Sequence, residues 1–276
     1  MGARPRAKRR VLVIGIAGPS GCGKSTVAQK LAKELNSPVT PISLDWYLKP
    51  KWMPKVPIYG KNWETPEGVD FDLLHEDLKR VAEILAHQEC VPQKLLAGPD
   101  KQDIVAKGQG GCQMSSKQVV LLVEGFLLFY QPSLADFLGV KIWIDAGLQT
   151  CMQRRFKRAK GRKNKGNYAE KEAWFRDLVW HYYERYRERQ LENATGALMV
   201  NGDMSKDEVF ARSLRFCTDE ERRKGAEKFG RVVLLPKKVK REVGHQLRGQ
   251  PLRREVEQQA LSAGEGEMPP LKRPRR

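Results

Sequence analysis

The stretch VLVIGIAGPSGCGKST, residues 11–26, contains the strongest structural signal in the chain. Its first part, residues 11–16, is apolar without alternation, which predicts a parallel strand covered on both faces. Residues 18–25 then satisfy the pattern G-x-x-x-x-G-K-[ST], and residues 25–35 have the composition of a helix. A strand, a glycine-rich loop and a helix in this order predict a phosphate-binding loop (P-loop) within an α/β domain.

Each part of this loop has a role in binding a nucleoside triphosphate. Its glycines let backbone N–H groups turn towards phosphate oxygens, and the helix that follows adds the positive end of its dipole. We expect Lys24 to contact the β and γ phosphates and the Ser25 hydroxyl to coordinate Mg²⁺, so ATP and Mg²⁺ are the predicted cofactors. The predicted ATP-binding residues here are Gly18, Ser20, Gly21, Cys22, Gly23, Lys24, Ser25 and Thr26. ATPases, GTPases and kinases share this loop, so the loop alone leaves the reaction open.

Beyond the loop, strand and helix patterns continue to alternate. The predicted strands are residues 39–43, 118–125 and 140–145 and a short one within 197–202, and the predicted helices are residues 70–87, 148–160, 174–191 and 205–217. The helix over residues 70–87 has its apolar positions on one stripe: Phe71, Leu74, Leu78, Val81 and Leu85. This alternation predicts a doubly wound, mostly parallel sheet with helices on both faces.

Composition divides the chain into three parts. We expect a basic arm over residues 1–10, the P-loop domain over residues 11–217, and a basic, largely disordered tail over residues 218–276. Within the domain, scattered Gly and Pro predict an insertion at residues 88–117, and a small lid is expected at residues 155–172.

The balance of charges and cysteines narrows the class of protein. The chain has 51 Lys and Arg against 33 Asp and Glu, a net charge of +18. No apolar run reaches the roughly 20 residues of a membrane span, which argues against an integral membrane protein. Five cysteines without CxxC pairing indicate reduced thiols, and we expect a cytoplasmic protein with no membrane partner. The terminal LKRPRR leaves nuclear import open, and the tail could contact nucleic acid or an import factor.

Two acidic residues and one basic cluster follow the predicted strands and suggest a catalytic apparatus. Asp45 comes just after the second strand, at the sheet edge where such folds bind ligands, and is a candidate base for a substrate hydroxyl. Glu124 ends the strand over residues 118–125, a position that suits Mg²⁺ binding. The basic cluster supplies cations for a transferring phosphoryl group; its members are Arg154, Arg155, Lys157 and Arg158. Alternatively, Asp45 is a turn residue, Glu124 is a structural acid, and the basic cluster is a solvated or nucleic-acid-binding face.

Five segments resemble, in the same order, those of the uridine kinase and nicotinamide riboside kinase group of P-loop kinases. They are SLDWYLKP (43–50), NWETPEGVDFDLL (62–74), VEGFLLFY (123–130), WFRDLVWHYYERYR (174–187) and LMVNGD (198–203). Within the group the chain is most similar to nicotinamide riboside kinases, especially of the fungal type. The resemblance covers roughly residues 11–217. It implies ATP-dependent phosphorylation of the 5′-hydroxyl of a ribonucleoside, with nicotinamide riboside as the expected substrate.

The resemblance also assigns roles to residues at matching positions. It implies that Asp45 is the catalytic base, that Trp63 stacks on the nicotinamide ring, and that Glu64 and Arg155 bind ribose hydroxyls. Arg158 matches a lid arginine that faces the phosphates. The same comparison adds one further ATP-binding residue, Asn201.

Two positions depart from the family pattern, and a second substrate class stays open. Glu64 stands where the family usually has Asp, and Trp46 stands where a second Asp is usual. The cationic nicotinamide ring suits an indole face, which attracts cations by about 0.5–2 kcal/mol. A uridine or cytidine kinase on the same fold is the alternative, and a P-loop protein whose tail binds nucleic acid is a further one.

Overall fold

The structure is a computed structural model that describes residues 9–87, 118–159 and 167–218. The predicted insertion at residues 88–117 lies outside the described residues. The same holds for residues 1–8 of the N-terminal arm, for residues 160–166 of the lid, and for the tail beyond Thr218.

A parallel sheet of five strands forms the centre of the described structure. In spatial order the strands are β2 (Ile42–Ser43), β5 (Gln118–Gly125), β1 (Arg10–Ala17), β6 (Val140–Asp145) and β7 (Leu198–Asn201). Every adjacent pair is parallel. A separate antiparallel hairpin consists of β3 (Lys55–Val56) and β4 (Gly60–Lys61). The predicted doubly wound sheet is therefore confirmed.

Seven α-helices accompany the sheet in the described residues. They are α1 (Lys24–Glu34), α2 (Phe71–His87), α3 (Pro132–Phe137), α4 (Leu148–Ala159), α5 (Tyr168–Trp174), α6 (His181–Asn193) and α7 (Lys206–Thr218). Short 3₁₀ turns follow β2 at Leu44–Tyr47 and precede α2 at Pro66–Gly68. A π-helical segment, Phe175–Trp180, joins α5 to α6.

Helices cover both faces of the sheet, as the uninterrupted apolar strands predict. Alternate residues of β1 enter different cores: Val13 packs with residues of α2 and α3, and Ile14 packs with residues of α1 and α7. The predicted apolar stripe of α2 is buried along its whole length. Trp143 is fully buried in β6. Within the described residues, no helix combines the length and apolar character needed to cross a bilayer.

Two predicted boundaries were wrong. The strand expected over residues 39–43 is reduced to Ile42–Ser43, since Pro41 has no N–H to donate to a neighbouring strand. The helix expected from residue 174 begins earlier, at Tyr168, because Asn167 and Glu170 form a reciprocal capping box. The π-helical segment inside this region was not predicted either.

The order of the strands determines where the site lies. The chain places β2 and β5 on one side of β1, and β6 and β7 on the other. Loops that leave the carboxyl ends of β1 and its neighbours therefore diverge, and the crevice between them is where open α/β sheets bind ligands. The phosphate-binding loop begins at this crevice.

Candidate active site

Both the backbone conformation and the available space require glycine at positions 18 and 21 of the phosphate-binding loop. Gly18 and Gly21 have φ of +143° and +98°, a region that residues with a Cβ rarely adopt. Space is also lacking, because a Cβ on Gly18 would overlap the carbonyl oxygen of Ile144 in β6. A Cβ on Gly21 would overlap the carbonyl oxygen of Cys151 in α4. The loop is thus packed directly against β6 and α4.

The side chain of Lys24 is bound to the loop that precedes this residue. It is the first residue of α1, is only 8% exposed, and its Nζ donates a hydrogen bond of 2.9 Å to the carbonyl oxygen of Pro19. The ammonium group therefore lies over the loop and borders the cavity described next. A fixed positive charge in this position is what a phosphate chain needs.

A cavity of about 320 Å³, here called the donor cavity, opens beside the loop. Its size suits a nucleotide, since small-molecule sites are commonly about 300–1,000 Å³. The cavity brings together most of the residues predicted from sequence: Ser20, Gly21, Cys22, Gly23, Lys24, Ser25, Thr26, Asp45, Glu124, Arg155 and Arg158. Elements far apart in the chain thus converge on one space.

Glu124 is a buried carboxylate held by two hydroxyl groups. Oε1 of Glu124 accepts hydrogen bonds from Ser25 at 3.1 Å and from Ser43 at 2.9 Å. The strand register places Ser43 beside Glu124, and Ser25 reaches the carboxylate from α1. A carboxylate and a hydroxyl are hard oxygen donors of the kind that Mg²⁺ prefers. Within the described residues, no group of three or more His, Cys, Asp or Glu side chains could hold a metal ion.

Asp45 lies on the 3₁₀ turn Leu44–Tyr47, directly after β2. Its side chain is half-buried and borders the donor cavity. Tyr47 anchors the same turn to α2, since its hydroxyl donates a 2.9 Å hydrogen bond to the buried carboxylate of Asp77. The turn is therefore rigidly placed, and a carboxylate at the rim of the donor cavity can accept a proton from a group that enters beside it.

The basic cluster of α4 divides into residues with different contacts. Arg155 donates to the hydroxyl of Ser20, and its guanidinium lies 5.4 Å from the ring centroid of Trp174. Arg158 is exposed at the donor cavity. Arg154 also borders the donor cavity, and its Nη1 donates to the backbone carbonyl oxygens of Cys22, at 3.2 Å, and Gly202, at 2.8 Å.

A second, much smaller cavity of about 10 Å³, here called the acceptor cavity, lies next to the donor cavity. It is lined by Pro19, Ser20, Glu64, Phe126, Leu127, Val179, Tyr182 and Tyr183. Ser20 and Phe126 border both cavities, so the two spaces are adjacent. Glu64 is only 4% exposed, and its N–H donates a 3.0 Å hydrogen bond to the side-chain oxygen of Asn62. The predicted Asn-Trp-Glu segment thus places a carboxylate in an otherwise mainly aromatic and aliphatic wall.

Tyr183 in this wall is fixed by an ionic network. Its hydroxyl donates a 2.7 Å hydrogen bond to Asp145 at the end of β6, and Arg187 donates to the same carboxylate at 2.5 Å. Burial, with the nearby negative charge of Asp145, raises the pKa of Tyr183 well above its usual range. The phenol therefore stays protonated and serves as a rigid part of the wall.

Some predicted residues do not line either cavity. Trp63 is half-buried beside Glu64, outside both linings. The Asn201 side chain accepts the N–H of Asp203 at 2.8 Å, and the neighbouring Gly202 borders the donor cavity instead. Burial raises the pKa of the Cys22 thiol, so this cysteine is neutral near pH 7 and is not an activated nucleophile.

Sequence reasoning missed three contributions to the site. Ser43 was quoted in a motif, but its bond to Glu124 depends on strand register, which local sequence does not reveal. The bridging role of Arg154 was hidden within a basic cluster. The sequence predicts Tyr182 and Tyr183 only as part of the helix over residues 174–191.

Comparison with known proteins agrees with this geometry. The model of the phosphoribulokinase / uridine kinase family matches residues 13–201. The chain is 30% identical over 150 residues to a uridine kinase of Chlamydia pneumoniae, covering 54% of this chain and 64% of that protein. It is 30% identical over 159 residues to a uridine kinase of Saccharomyces cerevisiae, covering 53% of this chain and 28% of that protein. It is 26% identical over 206 residues to human nicotinamide riboside kinase 2, covering 74% and 79% of the two chains. The chain thus spans under two thirds of the length of these two uridine kinases.

Proposed function

The chain belongs to the phosphoribulokinase / uridine kinase family, and we propose that it transfers the γ-phosphoryl group of ATP to the 5′-hydroxyl of a ribonucleoside. We propose nicotinamide riboside as the preferred acceptor, with nicotinamide mononucleotide as the product. The observation that carries the kinase proposal is the convergence of Lys24, Asp45 and Glu124 on one cavity at the carboxyl end of β1. These three supply a phosphate contact, a base and an oxygen ligand for a metal ion.

The proposed step follows from these positions. The oxygen of the 5′-hydroxyl bonds to the γ-phosphorus while Asp45 accepts the hydroxyl proton. The bond between the γ-phosphorus and the β–γ bridging oxygen breaks, and ADP leaves. Lys24 and Arg158 stabilise the negative charge that spreads over the transferring group. Mg²⁺, when held by Ser25 and Glu124, would neutralise charge on the β and γ oxygens.

The composition of the acceptor cavity supports a cationic aromatic substrate. Phe126, Tyr182 and Tyr183 supply aromatic surface, and Glu64 supplies a buried negative charge close to it. A nicotinamide ring attached to ribose is both flat and positively charged, so aromatic faces attract it. The resemblance assigns Glu64 and Arg155 to the ribose and Trp63 to the ring. We propose that Trp63 reaches the ring when the cavity opens.

Opening is required because a cavity of about 10 Å³ cannot hold a nucleoside. Val179, in the π-helical segment, forms part of the wall, and the wider turns of π-helices are often found at functional sites. The hairpin β3–β4 contacts the same segment, since the hydroxyl of Tyr59 donates to Asp177 at 3.0 Å. Movement of this segment and hairpin would enlarge the acceptor cavity next to a donor cavity that is already open.

A uridine or cytidine kinase is the second candidate. The observation that favours it is the 30% identity to uridine kinases, above the 26% to human nicotinamide riboside kinase 2. A neutral pyrimidine needs directed hydrogen bonds to its edge, which Tyr182 and Glu64 could in part provide. Contact of the basic tail with nucleic acid or an import factor remains a separate proposal about residues outside the described structure.

A panel of nucleosides tests the proposal. Purified protein is given ATP, Mg²⁺ and nicotinamide riboside, uridine, cytidine or adenosine in turn, and ADP release and the phosphorylated product are measured. We expect the highest kcat/KM with nicotinamide riboside. Preference for uridine or cytidine would reverse the order of the two kinases, and ADP release independent of any nucleoside would contradict both. A second series with GTP compares the phosphoryl donors.

A further inference from the structure

Arg154 joins three parts of the molecule through a single nitrogen atom. Its Nη1 lies 3.2 Å from the carbonyl oxygen of Cys22 in the phosphate-binding loop and 2.8 Å from that of Gly202, just after β7. The guanidinium itself extends from α4 and is half-buried. A charged donor that bridges two carbonyls this closely is a strong and directional contact.

The contact with Cys22 has a consequence for the next residue. In a trans peptide the carbonyl and the following N–H point in opposite directions in one plane. A donor that holds the Cys22 carbonyl therefore also sets the direction of the Gly23 N–H. Gly23 borders the donor cavity, has φ of +112° and has no side chain that could fix its N–H, while its own carbonyl accepts the N–H of Val27 at 3.1 Å.

The other end of the bridge is itself firmly held. The Gly202 N–H donates to the carbonyl oxygen of Asp145 at 2.5 Å, and the Asp203 N–H donates to the Asn201 side chain at 2.8 Å. The Asp203 carboxylate accepts the N–H of Gly147, just before α4, at 3.1 Å. The loop after β7 is thus tied to β6 and to the start of α4, and it gives Arg154 a fixed point.

We propose that Arg154 is a positioning residue of the donor site. By bridging the loop after β7 to the Cys22 carbonyl, it orients the phosphate-binding loop so that the Gly23 N–H faces the phosphate chain of the nucleotide. This inference rests on the proposed function only in taking ATP as the donor, and it does not depend on which nucleoside is the acceptor. Arg155 and Arg158, on the same helix, have other contacts and do not share this role.

The test separates an effect of Arg154 on the loop from a direct contact of Arg154 with the adenine base of the nucleotide. Binding to the full chain is measured for Mg²⁺–ADP and, by competition against ATP, for inorganic tripolyphosphate, which has phosphates but no base. The variants are Arg154→Ala, Arg154→Gln and Arg154→Lys, with Gln153→Ala as the matched control. Gln153 is the exposed neighbour on α4 and lies outside the lining of the donor cavity.

We expect Arg154→Ala to weaken both ADP and tripolyphosphate by about 10- to 100-fold, the usual effect of losing hydrogen bonds from a charged group. Arg154→Lys should recover part of the loss, since an ammonium group can also donate to two carbonyls, and Gln153→Ala should bind normally. The KM for ATP should rise in Arg154→Ala while the KM for nucleoside at saturating ATP changes less than about twofold.

Three outcomes would overturn the inference. Unchanged affinity in Arg154→Ala would show that the bridge has no influence on the loop. A loss of affinity for ADP but not for tripolyphosphate would place Arg154 in contact with the adenine base. An equal loss in Arg154→Ala and Arg154→Lys would contradict a role in holding carbonyls. If Arg154→Ala does not fold, Arg154→Gln and Arg154→Lys give the same comparison. Failure of the wild-type chain to bind ADP would instead contradict the proposed function.

Discussion

The hydroxyl of Ser25 donates a hydrogen bond of 3.1 Å to Oε1 of Glu124, although the two residues are 99 positions apart in the chain. Ser43 donates to the same oxygen at 2.9 Å. Two donors on one carboxylate oxygen fix the orientation of Glu124 at the end of β5. Glu124 and Ser25 both border the donor cavity, and a carboxylate beside a hydroxyl suits a magnesium–nucleotide complex.

Glu124→Gln should therefore increase the Mg²⁺ concentration required for half-maximal activity. We expect an increase of about 10- to 100-fold, because an amide oxygen carries no negative charge for the ion. Ser43→Ala keeps the carboxylate and loses one donor, so a smaller increase is expected. The measurement is a Mg²⁺ titration of ADP release at saturating ATP, with Glu76→Gln on the exposed face of α2 as control. A midpoint unchanged in Glu124→Gln would exclude this residue as a metal ligand.

Lys24→Ala should reduce phosphoryl transfer by at least about 100-fold, since it removes a charged donor held over the phosphate-binding loop. The side chain is buried mainly by the loop itself, so the thermal midpoint of unfolding should change little. Lys33→Ala, an exposed lysine on the same helix, is the matched control. A folded Lys24→Ala protein with a near wild-type rate would contradict the assignment of the loop.

Asp45→Asn should keep ATP binding and lose most turnover. The amide is close in size to the carboxylate but cannot accept the proton of the 5′-hydroxyl, and general-base contributions are about 10²–10⁴-fold. Calorimetry with Mg²⁺–ADP and steady-state kinetics measure the two effects separately, with Asp72→Asn on the exposed face of α2 as control. A loss of only a few-fold would make Asp45 a structural residue of the 3₁₀ turn.

Local sequence was sufficient for the elements whose signal repeats within a few residues. The apolar run of β1 and the stripe of α2 indicate burial through their spacing, the glycine pattern indicates a tight loop, and all three are confirmed. Contacts made through strand register or side-chain reach have no such signal. The bond from Ser43 to Glu124 and the bridge from Arg154 to Gly202 fall in this class.

The neighbouring residues Trp63 and Glu64 have different surroundings, which the sequence did not reveal. The resemblance assigns Trp63 to the ring and Glu64 to the ribose of the substrate; Glu64 lines the acceptor cavity, and Trp63 lies outside both linings. Successive residues in an extended segment point to opposite sides, and the sequence alone does not say which of the two faces a cavity. The π-helical segment was equally hidden, since residue propensities do not separate an α-turn from the wider π-turn.

Removal of residues 219–276 should leave kcat/KM for nucleoside within about twofold of the full chain. The family match ends at residue 201, and α7 closes the described domain with Cys217 buried. The measurement compares the truncated and full chains in the nucleoside assay and in salt-dependent retention on immobilised DNA. We expect the tail to account for the retention, because phosphate contacts depend steeply on salt. Truncation that unfolds the domain would show that the tail belongs to its core.

The substrate proposal predicts a difference between nicotinamide riboside and uridine in Trp63→Ala. If Trp63 stacks on the cationic ring, its loss should raise the KM for nicotinamide riboside by about 2- to 30-fold, the range of one cation–π contact. Uridine is neutral and should lose less. Trp63→Phe should fall between, because a phenyl face attracts cations more weakly than an indole face. Trp52→Ala, at an exposed tryptophan of the preceding segment, is the matched control.

Glu64→Gln separates the contribution of the ribose from that of the ring. A carboxylate that binds ribose hydroxyls should matter equally for both nucleosides, since they share the sugar. A carboxylate that instead faces the cationic ring should matter only for nicotinamide riboside. We expect Glu64→Gln to reduce kcat/KM by a similar factor with both substrates, in contrast to the selective loss expected in Trp63→Ala. Equal losses for both substrates in Trp63→Ala would leave the kinase in place and remove the cation–π contact, because stacking alone does not distinguish a charged ring from a neutral one.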